Sequence, residues 1–303
     1  MRKGIGWSVE RRASVSRTER WWLFLTPSAV VLGLVMLYPL SYAVYLSLFD
    51  DDLGTGSHAF IGWANYASLL TDQRFWTSLL QTALIAVSAV GLEFCLGLMV
   101  AYGLYLLSFG ARTLNLLLFL PHIITPVVAG LFLRWIFMGQ WGLLSSVLIG
   151  LGIFPPDWLG TPGWARVTVV LADSWQFTPF IILVLYAGLN TVDQSQIEAG
   201  RIDGAGGWAL LFRIMVPAIK PLILFVLAIR LMDAFRMFDI IYVLTAGGPG
   251  TATETLTMYD YALAFHLLQI GKASALGVLI LAILALLTGI MIAVVYRRER
   301  GAF

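Results

Sequence analysis

The fifth long apolar segment of the chain carries four charged residues at intervals of three and with alternating sign, Arg230, Asp233, Arg236 and Asp239. We call this set the charge ladder. On insertion scales, each such group costs about 2.5–3.5 kcal/mol at the centre of a membrane-spanning helix. On a helix with 3.6 residues per turn, a spacing of three drifts by about 60° per step, so the four side chains wind around the helix. Some of them must therefore face another helix or water.

Two functions for the charge ladder stay open. Its donors and acceptors can line a polar path that binds hydroxyl groups, with Phe235 and Met237 providing apolar contact to the same ligand. Alternatively, the charges form ion pairs, within the ladder or with other helices, that hold the fifth segment in place.

Three more polar residues lie inside apolar segments and are candidates for the same path: Glu93, Arg134 and Gln176. Glu93 and Arg134 have the alternative of tying two helices together, because polar groups in a bilayer need partners. For Gln176, near the outer part of its segment, the alternative is solvation at the membrane surface. Asp173 lies nearer the outer end of its segment, where we expect simple solvation at the membrane surface.

The composition is that of a membrane protein. Hydrophobic residues make up 59% of the 303 residues and charged residues only 12%, against roughly 25% charged in a soluble domain. Apolar runs of about 20 residues can cross a bilayer, and only as helices, because lipid offers the backbone no hydrogen-bond partner. The sequence therefore predicts an all-α membrane protein with six transmembrane helices. The predicted spans are 22–48, 79–107, 114–138, 167–189, 217–245 and 273–296.

The distribution of Lys and Arg predicts the orientation, since cytoplasmic loops carry the excess. Placing the N-terminus in the cytoplasm leaves only Arg74, Arg166 and Lys272 on the outer side. The cytoplasmic side then holds thirteen: Arg2, Lys3, Arg11, Arg12, Arg17, Arg20, Arg112, Arg201, Arg213, Lys220, Arg297, Arg298 and Arg300. Both termini, the basic segment 1–20 and the loop 190–216 are therefore expected in the cytoplasm. The net charge of +2 is too small to indicate a nucleic-acid partner.

The cytoplasmic loop 190–216 has the features of a helix-turn-helix. Asp193 suits the start of a helix, and Glu198–Asp203 is expected to be a short helix. Gly204 suits the sharp turn that follows it, and 205–215 is expected to form the second helix.

The same loop resembles a family motif. Glu198-Ala199-Gly200, then Gly204, Ile214 and Pro217 are similar in type and spacing to the EAA motif of binding-protein-dependent ABC importer permeases. The family has Ala where this chain has Gly200 and usually Leu where it has Val216, but neither departure removes a charge or the turn glycine.

The resemblance implies that the loop docks into a separate ABC ATPase, which binds ATP and Mg and drives the transport cycle. Ala199, Ile202 and Ala205 would supply apolar contact, and charged side chains would pair at the rim. The residues assigned to this contact are Glu198, Ala199, Gly200, Arg201, Ile202, Asp203, Gly204 and Ala205.

The resemblance extends from about residue 22 to the end of the chain, through LFLPHIITPVVAGLFLRWIF, SWQFTPFIILVLYAGL and YVLTAGGPGTATETL. These segments are similar to the carbohydrate-importing branch, and to the first of its two maltose-type permeases. The partners implied are a second permease, two ATPase subunits and an extracytoplasmic binding protein, in a bacterial or archaeal plasma membrane. The favoured cargo is a disaccharide such as trehalose or maltose, with a polyol or a glycerol-phosphate-type solute as alternatives.

Other functions have less support in the sequence. Gly271-Lys272 lacks the surroundings of a phosphate-binding loop, so no cofactor is expected on this chain. The histidines are scattered and the single cysteine has no polar partner nearby in sequence, so no catalytic residue, metal site or enzymatic activity is predicted. An ion-coupled carrier that uses the charge ladder as a proton relay remains an alternative, although no internal repeat is evident.

Overall fold

The fold was analysed in a computed structural model that describes residues 21–107, 109–139 and 141–300, with side chains for 25–107, 109–139 and 141–293. The predicted cytoplasmic segment 1–20 lies outside the described residues.

Four helices of the described chain are long and apolar enough to cross a membrane, and each bent helix pair raises that number by one, up to six. The four are α1 (Trp21–Leu46), α3 (Gln73–Leu106), α8 (Pro162–Leu189) and α15 (Ile270–Arg300). They overlap the first, second, fourth and sixth predicted spans, and α3 begins six residues earlier than expected. The all-α membrane fold is confirmed.

The third span, predicted as a helix over 114–138, is bent. It consists of α4 (Ala111–Leu118), α5 (Leu120–Ile123) and α6 (Pro126–Ile136), and it bends by 91° between α5 and α6. The cause is Pro126, because a residue that precedes proline is pushed out of the helical region. Thr125 accordingly has φ −62° and ψ 142°.

The fifth span, predicted as one helix over 217–245, is also interrupted. It begins with α10 (Gly207–Leu210), a π-helical turn (Leu211–Met215) and α11 (Val216–Ala218). A 76° bend follows before α12 (Lys220–Phe235). The chain then leaves the helix for three residues and resumes as α13 (Asp239–Leu244). The prediction of a continuous helix is therefore wrong at both ends of α12.

Shorter elements connect the spans. A two-stranded antiparallel hairpin, β1 (Phe49–Asp52) with β2 (Ser57–Phe60), was not predicted. Its turn is held by Asp52, whose carboxylate accepts hydrogen bonds from the amides of Gly54 and Thr55. The remaining elements are α2 (Ala64–Thr71), α7 (Leu143–Gly150), α9 (Gln194–Ile202), α14 (Leu256–Tyr261) and a second π-helical turn (Ala262–His266).

The centre of the fold is the packing of α3 against α8, with α12 against both. Gly97 allows the first two to approach, since a Cβ at this position would lie 2.6 Å from Cγ2 of Ile181. By contrast α1 packs against α15 and the hairpin and leaves most of its surface exposed. These three helices carry Glu93 (α3), Asp173 (α8) and Arg230 (α12), whose side chains meet inside the packed region.

Candidate functional site

A cavity of about 500 Å³ opens where the interruptions of the third and fifth spans face α8. All four members of the charge ladder line it, together with Met237. Its lining is Pro126, Asp173, Phe177, Arg230, Asp233, Arg236, Met237, Phe238, Asp239 and Ile240.

The interruption of the fifth span after Phe235 shapes this cavity. Helical hydrogen bonding stops there, and Phe238 has φ −132° and ψ −60°. The carbonyl of Met237 instead accepts hydrogen bonds from the hydroxyls of Thr255 and Thr257, at 3.3 and 2.8 Å. Two threonines distant in sequence therefore satisfy the backbone that the helix abandons, as non-helical backbone at membrane depth requires.

Arg230 lies at the inner wall of the cavity and is buried, with 1% of its surface exposed. Its Nε and Nη2 donate to the two carboxylate oxygens of Glu93, both at 2.8 Å, and Nη2 also donates to Asp173 at 3.0 Å. Its guanidinium stacks on the ring of Phe177 at 4.0 Å. We call Arg230, Glu93 and Asp173 the buried triad. It joins α12, α3 and α8. For these three residues, the observed contacts are those of the alternative in which ion pairs hold the fifth span to its neighbours.

The other members of the charge ladder are exposed to the cavity. Arg236 donates to Asp233 at 3.0 Å, and their side chains keep 62% and 44% of their surface exposed. The carboxylate of Asp239 makes no hydrogen bond or ion pair with any described residue. The ladder therefore divides into one buried anchor and three charges that are available to a ligand.

Several candidate residues lie elsewhere. Phe235 is half-buried against the apolar core and does not line the cavity. Arg134 donates to the carbonyl of Val243 at 3.1 Å and ties α6 to α13. Gln176 is buried and donates to the carbonyl of Ile124 at 2.8 Å, which holds the bend of the third span against α8.

Asp173 and Phe177 were missed as cavity residues. The expectation that Asp173 is solvated is wrong, because it is 1% exposed and bonded to Arg230. One signal was available: Asp173 and Phe177 lie four residues apart and therefore share one face of a helix.

The loop that follows α13 is held by a polar network. Arg74 makes a bidentate contact with Glu254, with Nη2 at 2.6 Å and Nε at 2.8 Å. The Tyr259 hydroxyl donates to Asp72 at 2.6 Å, and Lys272 lies 3.3 Å from the same carboxylate. This network fixes the start of α3, the loop and the start of α15 together, and thereby the two threonines that stabilise the cavity.

The loop 190–216 contains the predicted helix-turn-helix, but its first helix starts four residues earlier than expected, at Gln194. Asp193 is its N-cap and accepts a hydrogen bond from the Ser195 amide at 2.9 Å, which lowers the pKa of Asp193. At its end, Ala205 donates to Gly200 and Gly204 donates to Arg201, at 2.9 and 3.0 Å. This is the Schellman arrangement, and Gly204 takes its left-handed position with φ +80°.

The exposed face of α9 carries most of the residues assigned to the ATPase contact. Ile202 is 86% exposed, and Glu198, Ala199, Arg201 and Asp203 are exposed beside it. Ala205 differs from the expectation, because it is half-buried against the core.

Gly200, the departure from the family motif, is buried on the opposite side of α9. A Cβ there would lie 2.6 Å from Cδ1 of Ile214 and 2.9 Å from Cδ2 of Leu210. Glycine thus permits close packing of α9 on the helical segment that precedes α12.

The chain is similar in sequence to permease proteins of two transport systems. The chain is 35% identical to the sulfoquinovosyl glycerol transport system permease protein SmoG of Agrobacterium fabrum, over 91% of this chain and 90% of that protein. It is 33% identical to the trehalose/maltose transport system permease protein MalF of Thermococcus litoralis, over 85% of this chain and 87% of that protein.

A solved structure has the same fold. A bacterial ABC transporter involved in the import of the acidic polysaccharide alginate superposes with a TM-score of 0.79, at 20% identity, over 92% of this chain and 96% of that chain. Residues 93–301 also match the family described as the binding-protein-dependent transport system inner membrane component. The charged cavity, the interrupted spans and the exposed helix α9 are therefore parts of a transport subunit, and this chain belongs to the family of binding-protein-dependent ABC importer permeases.

Proposed function

We propose that this chain forms half of the translocation path for a neutral sugar, with a disaccharide such as trehalose or maltose as the favoured cargo. The observation that carries the proposal is the cavity, in which three accessible charged side chains lie beside Phe177, Met237 and Phe238. Fixed polar groups can bind sugar hydroxyls, while aromatic and thioether side chains contact the C–H faces of the ring. A volume of about 500 Å³ lies within the range of small-molecule sites.

The charge of the cavity supports an uncharged cargo. Arg230 is already neutralised by the two carboxylates of the buried triad. Among the accessible groups, one arginine, Arg236, faces two carboxylates, Asp233 and Asp239. An anionic solute such as a glycerol phosphate or a sulfonated sugar would meet excess negative charge, and burial makes an unmatched charge costly.

The family to which the chain belongs suggests the partners. A second permease subunit would complete the cavity wall. The exposed face of α9 would dock into an ABC ATPase that binds ATP and Mg, with one ATPase for each permease. An extracytoplasmic binding protein would deliver the sugar to the outer loops, and both termini and α9 would face the cytoplasm.

The test is ATPase stimulation in the reconstituted four-subunit complex. Binding protein loaded with trehalose, maltose, a polyol or sulfoquinovosyl glycerol is added in turn, and ATP hydrolysis and sugar uptake are measured. We expect stimulation and uptake with a neutral sugar and not with the sulfonated one. Stimulation by the sulfonated sugar alone would contradict the charge argument.

Variants localise the path. Asp239→Asn and Arg236→Gln are expected to lower uptake by about tenfold or more, equivalent to one charge-assisted hydrogen bond. Arg134→Gln is the matched control, because Arg134 is a charged residue of a neighbouring helix that does not line the cavity. Equal losses in all three variants would mean that the cavity is not the path.

A further inference from the structure

A row of aromatic rings leads away from the cavity towards the outer loops. Phe238, which lines the cavity, lies 5.3 Å from Tyr242 and 5.2 Å from Tyr261, measured between ring centroids. Tyr242 and Tyr261 are 5.3 Å apart, and Tyr261 is 4.9 Å from Phe265. We call these four residues the aromatic row.

The aromatic row begins at the interruption of the fifth span and continues over α13, α14 and the π-helical turn. Phe238 occupies the interruption of the fifth span, and Tyr242 lies one turn later in α13. Tyr261 ends α14, and Phe265 lies in the π-helical turn that follows. The row therefore connects the cavity with the loop region between the fifth and sixth spans.

The outer rings of the aromatic row are exposed. Phe265 keeps 67% of its surface exposed and Tyr242 keeps 41%. The π-helical turn, where the Leu267 amide donates to Ala262 five residues earlier at 2.9 Å, places Phe265 beside Tyr261. Such turns recur at functional sites.

The chemistry of a continuous row of rings, two exposed and two half-buried, suits a pyranose. The face of an aromatic ring is electron-rich, and the axial C–H bonds of a sugar are weakly positive, so the apolar face of a sugar stacks on it without needing a fixed orientation. The two tyrosine hydroxyls can bond to sugar hydroxyls at the edge. With centroids about one sugar ring apart, a ligand can move to the next ring before it leaves the last.

We propose that the aromatic row is the outer access track, along which the sugar passes from the binding protein to the cavity. This inference rests on the proposed function of the chain as a sugar permease. It adds three residues, Tyr242, Tyr261 and Phe265, with an assigned ligand chemistry, the C–H face of a pyranose.

A second set of exposed rings provides the matched control. Tyr38, Tyr42 and Tyr45 stack along α1 at 6.2 and 6.3 Å, and Tyr42 is 51% exposed. They do not line the cavity, and their position suits the belt of aromatic residues found at membrane interfaces.

The experiment compares Tyr261→Leu, Phe265→Leu, Tyr261→Phe and Tyr42→Leu in the reconstituted complex. Uptake is measured at saturating sugar-loaded binding protein, with assembly followed by size-exclusion chromatography and the binding-protein affinity measured separately. We expect each loss of a row ring to lower the maximal uptake rate about two- to tenfold. Tyr261→Phe keeps the ring and is expected to lose less uptake than Tyr261→Leu, whereas Tyr42→Leu is expected to transport like the wild type. Since Phe265 is exposed, its variant keeps the test valid if Tyr261→Leu fails to assemble.

Three outcomes would overturn the inference. They are wild-type uptake by Phe265→Leu, an equal loss in Tyr42→Leu, or a loss confined to the affinity for the binding protein, which would make Phe265 a protein-docking residue. These results leave wild-type sugar uptake intact and so spare the proposed function. Absence of ATP-dependent sugar uptake by the wild-type complex would instead remove the proposed function, and the access track with it.

Discussion

Arg230 and Arg236 lie six residues apart and carry the same charge, but their surroundings give them different roles. Arg230 is enclosed by two carboxylates and an aromatic ring. Arg236 keeps most of its surface exposed and has one carboxylate partner, Asp233. A buried charge that loses its partner costs about 3–5 kcal/mol, whereas an exposed pair contributes about 0–1 kcal/mol. Burial therefore separates the residues that hold the helices from those that are available to the cargo.

This difference in burial predicts that one carboxylate-to-amide substitution lowers stability, whereas a second one lowers uptake. Glu93→Gln should lower the stability of the purified complex by about 3–5 kcal/mol, because it leaves Arg230 buried without its bidentate partner. Asp233→Asn should change stability by less than about 1 kcal/mol and instead lower sugar uptake. Thermal unfolding in detergent, with uptake measured in parallel, distinguishes the two. Similar unfolding midpoints for both variants would show that the buried triad is not the anchor described above.

The burial of Asp260, in α14, predicts that the stability of the protein depends on pH. Burial raises the pKa of Asp260 from 3.8 to about 6, and its Oδ1 has no hydrogen-bond partner among the described residues. Because the folded state holds the proton more tightly, stability decreases as pH rises from about 4 to about 6. Asp260→Asn should therefore stabilise the protein by roughly 2–3 kcal/mol above about pH 6, and the gain should shrink as pH falls towards 4.

Asp72 is the matched control for Asp260, with the opposite sign. Burial alone would raise its pKa, but hydrogen bonds from Tyr259 and the Arg74 amide, together with Lys272, lower the pKa of Asp72 overall. Its ionised form stabilises the fold above its unfolded pKa, so Asp72→Asn should destabilise the protein at neutral pH. Chemical denaturation of both variants at about pH 8 and about pH 5 checks the signs. A gain for Asp260→Asn that grows as the pH falls would contradict the account.

At the scale of elements, the functional regions lie where helices stop. The fifth span ends at Phe235 and opens the cavity, the third bends before Pro126 beside it, and α9 ends at Gly204 and presents Ile202. Proline and glycine mark two of these ends, so the sequence could predict them. Phe235 to Phe238 contains neither residue. That interruption depends on Thr255 and Thr257, which are brought to Met237 by tertiary packing.

The buried triad and the aromatic row were unpredictable for the same reason. The charge ladder was visible at its spacing of three, but the partners of Arg230 come from α3 and α8, 137 and 57 residues away. Sequence periodicity describes one helix at a time and does not specify which neighbour neutralises a charge. The coupling loop was predictable, because its cap, turn and exposed face are all local.

A substitution at Gly204 tests the proposed docking role of α9. Gly204→Val places a β-branched residue at φ +80°, which costs about 1–2 kcal/mol and reorients the end of α9. The complex should still assemble and hydrolyse ATP, while uptake falls about tenfold, since 1.4 kcal/mol corresponds to that factor. Gly206→Val is the control: that glycine has φ −70°, and a Cβ there meets nothing within 4 Å. Normal transport by Gly204→Val would refute the docking role.

At the scale of the whole molecule, the chain is one side of a transport path. The three central helices, α3, α8 and α12, fix the cavity wall. The network around Arg74 and Glu254 holds the loop that stabilises the interruption after Phe235. Helix α9 precedes the other end of the fifth span. Helix α9 packs on α10 and the π-helical turn that lead into α12, and α12 carries the cavity residues. This continuous chain of elements is the expected physical route by which ATP hydrolysed by another subunit drives solute movement.

The most direct test of this account is the energy source of uptake. The complex is reconstituted in vesicles with its binding protein and radiolabelled neutral sugar, with ATP either sealed on the side of α9 or omitted, and with or without a proton or sodium gradient. The account predicts accumulation that requires ATP and is unchanged when an ionophore collapses the gradient. Accumulation without ATP that follows the ion gradient would contradict it and would make the charge ladder a relay of an ion-coupled carrier.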